Sequence, residues 1–130
     1  MYDIGRDRWT QVASMKEKRA RHSCLTISTP SETKVLVCGG YDRNAYRTDC
    51  EIWKNGQWTN GPTVPSSYRG SRMIEPSLNS QFAAFVAGGY ESGDYTNKIY
   101  GIKKDLTSVS MVGTFQQKRK DHVAIQTKCQ

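Results

Sequence analysis

The apolar residues of this chain fall in short runs, and no helical spacing persists over ten residues anywhere. His22 to Ser28 (HSCLTIS) and Lys34 to Cys38 (KVLVC) are joined by a loop carrying Pro30 and Ser31. Asp49 to Trp53 (DCEIW) and Gln57 to Asn60 (QWTN) follow, and the Asn55-Gly56 between them is the strongest short hairpin signal. From Ser71 onward the series is written again as SRMIE, FAAFVA, KIYGI and TSVSM, with Lys103, Lys104 and Asp105 in place of Asn-Gly. Runs of this length bounded by turn residues predict strands, so the chain reads as all-β.

Laid against itself at an offset near fifty, the chain repeats five kinds of marker in one order. Gly39-Gly40-Tyr41 falls on Gly88-Gly89-Tyr90, and Trp9 falls on Trp58. Arg19, Arg69 and Arg119 are fifty apart, and His22, Arg72 and His122 keep the same interval. The aromatics Tyr2, Trp53 and Tyr100 recur ahead of the tryptophan position, which Ser108 or Val109 fills in the last unit. A fixed period of this size signals stacked supersecondary units. They divide as residues 1–18 (the last two strands of a preceding unit), 19–68, 69–118 and 119–130, where DHVAIQTK reads as a first strand. A glycine pair that ends an apolar strand allows φ > 0 and close approach of another backbone.

These markers resemble the kelch repeat of β-propellers, whose period is about 50. The resemblance covers the whole chain and implies kelch-type blades of four antiparallel strands each, in an incomplete ring, because the smallest closed propellers need about four blades. It implies that Gly39, Gly40, Gly88 and Gly89 end strands near a central channel. It places Trp9 and Trp58, with Tyr2, Trp53 and Tyr100, inside between blades, and Arg19, Arg69 and Arg119 around one end. Exposed blade faces and edges predict self-association, marginal stability, or a piece of a six- or seven-bladed parent. The opening MYDIGRDRWTQ reads as mid-domain sequence and lacks the apolar core of a signal peptide.

Kelch propellers of the cullin-adaptor type dock partners on the loops between second and third strands and between blades. Here those are Tyr41 to Thr48 and Tyr90 to Asn97, with KEK (Lys16 to Lys18) and PSSY (Pro65 to Tyr68). Tyrosine and arginine are enriched at binding hot spots. Tyr41, Arg43, Tyr46, Arg47, Tyr90, Tyr95 and Arg69 are therefore the expected contacts of a protein partner, with an acidic peptide suited to the arginine-bearing loop. The resemblance implies a non-catalytic interaction scaffold, such as the substrate-binding part of a ubiquitin-ligase adaptor. A secreted or cell-surface propeller with disulfides and an actin-binding protein are the alternatives.

Chemistry elsewhere changes this picture little. The formal charge of +7 comes from KEKRAR, KIYGIKK and KRK, and it reads as solvated loop charge rather than a nucleic-acid interface. The four cysteines and two histidines make no zinc-type spacing, so no metal or cofactor is expected. His22 and His122 read as buried structural groups. Cys24 and Cys38 lie in apolar runs and read as buried free thiols, which suits a cytoplasmic protein, while the even count leaves disulfides open. No Ser-His-Asp arrangement stands out, the histidines do not suit a copper-radical oxidase, and no apolar stretch reaches the roughly 18 residues of a membrane span.

Overall fold

The computed structural model describes residues 1–65, 69–77, 79–91 and 93–123. Ser66 to Tyr68, Cys129 and most of the strand expected in 119–130 lie outside them. Among the described residues the chain is all-β, with no helix long and apolar enough to cross a membrane. β1 (Tyr2–Asp3) and β2 (Arg8–Trp9) form a hairpin. β3 (Ser23–Ser28), β4 (Thr33–Cys38), β5 (Asp49–Lys54) and β6 (Gln57–Thr63) form a four-stranded antiparallel meander. β7 (Arg72–Ile74) and β8 (Phe82–Ala87) begin a second. A small hairpin, β9 (Tyr90–Glu91) and β10 (Asp94–Tyr95), precedes its last strands, β11 (Lys98–Lys103) and β12 (Val109–Thr114). The second meander runs β7-β8-β11-β12, and the described strands close no ring.

Local chemistry explains the turns and the burial. Asn55 and Gly56 both take positive φ (49° and 82°) and join Lys54 to Gln57 in a two-residue turn whose twist suits a hairpin. β4 and β8 are central strands and bury almost continuously at their C-terminal halves. β3 instead alternates, and this turns Cys24 outward while Leu25 and Ile27 face the core. The core cluster joins both sheets: Leu36, Val64, Ala84, Val86 and Ile102 have no exposed surface, and Met73 and Tyr100 pack with them.

The hydrogen-bond register corrects the sequence alignment. Cys38 pairs with Cys50 and Ala87 with Ile99, while Ser23 pairs with Cys38 and Arg72 with Ala87. Arg72 is therefore the counterpart of Ser23, and Ser71, not Arg72, stands where His22 does. The bridges Ala20–Tyr41 and Arg69–Tyr90 likewise make Arg69 the counterpart of Ala20, not of Arg19. The residue-identity match slips because Arg69 precedes its glycine pair by nineteen residues and Arg19 by twenty.

A backbone series links the units. Gly70 donates its N–H to Arg21 O (3.0 Å), and Asp121 donates to Gly70 O (2.9 Å). All three residues are left-handed, at φ 53°, 70° and 48°. β3 lies beside β7, where Ser23 Oγ bonds to Ser71 O at 2.7 Å. The glycine pairs sit at the same end. Gly39, Gly40, Gly88 and Gly89 all have positive φ, and a Cβ on Gly40 would meet Ala20 O at 2.7 Å.

Three expectations fail here, the first being the buried Cys24 thiol, which lies exposed on the outward face of β3. Trp9 is 79% exposed and Tyr2 is 43% exposed, because the β1-β2 hairpin carries no further strand among the described residues and the two rings stack only on each other. Cys38 is not a free thiol. It faces Cys50 directly across β4 and β5, and the two form a buried disulfide.

Two glycines of similar φ separate backbone strain from steric contact. Gly56→Ala meets nothing within 4 Å and should cost about 1 kcal/mol for its left-handed backbone alone. Gly40→Ala adds the Ala20 carbonyl clash and should cost at least about 1 kcal/mol more. Urea unfolding of the two variants measures the difference.

Candidate functional site

The loop from Gly39 to Asp49 is fastened at its base in two ways. The Cys38–Cys50 disulfide closes it covalently. Above the disulfide lies Arg19, whose side chain has no exposed surface. Its guanidinium donates to Gly39 O (3.0 Å), Asp49 O (3.1 Å), Asp49 Oδ2 (2.8 Å) and Glu51 Oε1 (2.6 Å). Glu51, equally buried, also accepts from the backbone N–H groups of Lys16 (2.7 Å) and Glu17 (3.2 Å). A buried ion pair of this kind is kept by its hydrogen bonds, since the desolvation cost would otherwise exceed the attraction.

Above this base the loop is ordered by its own polar groups. Asp42 accepts from the N–H groups of Asn44 (2.9 Å) and Ala45 (2.8 Å), which hold its pKa below the ordinary range. Arg47 pairs with Asp49 (2.8 Å), Glu17 (3.0 Å) and Asp42 (3.3 Å), so this expected contact residue is engaged within the loop. Arg43 stands exposed at the tip with φ 81°. It lines a cleft of about 500 Å³ with Lys18, Tyr41 and Asn44.

The second loop repeats the design with other residues. Arg47 N–H donates to Gly40 O and Thr96 N–H to Gly89 O, both at 3.0 Å. The Tyr41–Tyr46 bridge has its counterpart in the Tyr90–Tyr95 pair of β9 and β10. Asp94 accepts from Tyr95 N–H and pairs with Lys118, whose hydrogen bond is the main cause of its lowered pKa.

The two loops meet through their tyrosines. Ring centroids run Tyr41–Tyr46 at 5.2 Å, Tyr46–Tyr90 at 5.8 Å and Tyr90–Tyr95 at 5.7 Å, in tilted and edge contacts. Cations cap both ends of the line, with Arg69 over Tyr41 at 5.6 Å and Lys120 over Tyr95 at 5.0 Å. Beside the middle of the line lies a cavity of about 220 Å³ lined by Arg21, Tyr46, Arg69, Tyr90, Lys120 and Asp121.

Tyr41, Tyr46, Tyr90, Tyr95 and Arg69 are thus brought together, with Arg43 at the neighbouring tip. Arg21, Lys120 and Asp121 were missed. Arg21 and Lys120 belong to the KEKRAR and KRK runs, which read as solvated loop charge because no nucleic-acid motif accompanies them and they fall at equivalent places in the repeat; Asp121 lies just beyond KRK. Of the marker residues, Arg19 is sealed in the loop base and Arg119 is exposed over the Phe115 ring at 4.7 Å. Trp58 is half-buried and donates its indole N–H to Ala13 O at 2.9 Å. His22 and His122 are half-buried, and burial chiefly, with Arg119 and Arg72, lowers the His122 pKa. No protein-family model matches the chain, and a search of curated proteins finds no match.

The loop base makes stability depend on acid pH. Burial would raise the pKa of Asp49, but hydrogen bonds from Arg47 and Arg19 outweigh it and hold the pKa below 3.8. A depressed carboxylate contributes fully above its unfolded pKa and loses that contribution as pH falls through the folded one. Wild-type urea midpoints should fall more steeply below about pH 4 than those of Asp49→Asn. Glu51→Gln, which leaves Arg19 short of its buried partner, should cost about 3 kcal/mol at neutral pH.

Proposed function

We propose that the chain is a non-catalytic protein-interaction module built of kelch-type blades, and that it binds an acidic segment of a partner protein. The observation that carries this reading is the tyrosine line spanning both loops, flanked by Arg69, Lys120, Arg21 and Arg43. Large amphipathic rings held by neighbours bind at low entropic cost, and aromatic and arginine side chains dominate interface energies. The excess of cations over carboxylates around the line favours an acidic partner through electrostatic complementarity. The blade reading draws support from two meanders of like strand order at a register offset of 49, with β3 beside β7 and the Arg21–Gly70–Asp121 series between units.

Affinity capture by the full chain from cell extract, followed by identification of what is bound, tests the reading. The Tyr46→Ala/Tyr90→Ala double variant should lose about tenfold or more of the captured partner relative to wild type. Met111→Glu, on the exposed face of β12, should retain it. Equal capture by wild type and the double variant overturns the proposal.

The Cys38–Cys50 disulfide favours an oxidising compartment, hence a secreted or cell-surface setting for the same binding role. Alkylation of the denatured protein with and without reductant checks this. Two additional thiols should become reactive only after reduction, and full reactivity without reductant would return the chain to a reducing compartment.

A further inference from the structure

We propose that the cavity beside Tyr46 and Tyr90 is a phosphate-monoester pocket that receives a phosphorylated side chain of the partner; this rests on the interaction reading above. Three cations and one carboxylate line it, leaving a formal charge of +2. That matches the −1.5 to −2 of a phosphorylated residue at neutral pH better than the single charge of a glutamate or aspartate.

The state of those cations differs from that of Arg19 and Arg47, the two arginines that fasten the first loop. Arg19 and Arg47 are closed in ion pairs of 2.6–3.3 Å. Arg21 and Lys120 instead stand 3.8 and 3.9 Å from Asp121, too far for charge-assisted hydrogen bonds. Arg69 makes no ion pair among the described residues, and its guanidinium lies over the Tyr41 ring. Donor capacity is therefore left over at one cavity, in two guanidinium forks and one ammonium. Guanidinium forks suit the tetrahedral oxygens of phosphate.

Backbone geometry holds this surplus in place. Arg21 and Asp121 occupy the left-handed linking positions, where glycine would be relaxed and where Gly70 indeed stands between them. The register slip brings Arg69 to the cavity instead of burying it as Arg19 is buried. Asp121 is then the built-in counter-anion, and an incoming phosphate displaces its weak hold on Arg21 and Lys120. Stacked nucleic-acid bases fit less well, because Tyr46 and Tyr90 already have a tyrosine on each side.

Fluorescence anisotropy on the full chain tests this with degenerate peptide libraries centred on phosphoserine, phosphothreonine or phosphotyrosine. Unphosphorylated and glutamate-centred libraries, inorganic phosphate and a single-stranded oligonucleotide are the comparison probes. The expected result is binding of a phosphorylated library about tenfold tighter than its unphosphorylated and glutamate counterparts. Arg69→Gln and Lys120→Gln should each lose about tenfold, Arg69→Lys should restore part of the loss, and Asp121→Asn should bind tighter than wild type. The gain in Asp121→Asn keeps the test sound even if a loss variant folds poorly. Equal binding of phosphorylated and unphosphorylated libraries overturns the pocket, yet it leaves the interaction reading standing if Tyr46→Ala/Tyr90→Ala loses both. Binding by no library also overturns the pocket, and partner capture then decides the interaction reading separately. Inorganic phosphate bound as tightly as the peptides, or tighter Tyr46-dependent binding of the oligonucleotide, overturns the phosphopeptide assignment.

Discussion

Each unit must turn from a loop into its first strand while its backbone meets the unit before it, and this constraint governs where the loops and their side chains end up. Arg21, Gly70 and Asp121 meet it in the left-handed conformation, each later one donating to the carbonyl of the one before. A buried or half-buried backbone group left unpaired there would be costly, so the linkage resists sliding. It brings β3 beside β7 and sets both glycine pairs at the same end. The loops after the glycines must then emerge side by side, and their tyrosines meet.

The two loops show opposite uses of charge. In the first, Arg19 and Glu51 are taken out of water and hydrogen-bonded to both ends of the loop and to the approaching 16–17 segment. Such a pair is a poor source of net stability but a strong selector of one arrangement, because shifting any member strands a buried charge. The second loop has Lys98 and Tyr100 where Asp49 and Glu51 stand in the first, so it offers no matching carboxylate pair. Around it Arg69 and Lys120 stack on the rings of Tyr41 and Tyr95, and Arg21 and Lys120 stand 3.8 and 3.9 Å from Asp121. Rigid base and available charge are thus divided between the units.

Much of this was legible in the chain because its causes are local. Asn55-Gly56 dictates its own turn, and the glycine pairs announce positive φ. Tyr41, Tyr46, Tyr90 and Tyr95 lie in loops whose ends those glycines define. What escaped was set at a distance. Trp9 carries the chemistry of a core residue, yet only a neighbouring sheet could bury it. Cys38 and Cys50 are directly opposed only once the β4–β5 register is known. Arg69 resembled Arg19 by residue type and interval, whereas pairing of its backbone with Tyr90 decides its neighbours. Lys120 and Arg21 were visible as charge, but their convergence depends on the linkage between units.

The register slip means that chain length ahead of a strand works as a dial on side-chain environment. One residue fewer between Arg69 and its glycine pair sets its guanidinium at the lining of a solvent-facing cavity, and the carboxylates that neutralise Arg19 have no counterpart in its unit. A designer who wished to move binding charge around such repeats could add or remove single loop residues and leave every strand untouched. Duplicated units of one composition could in the same way take on unlike surfaces through spacing alone.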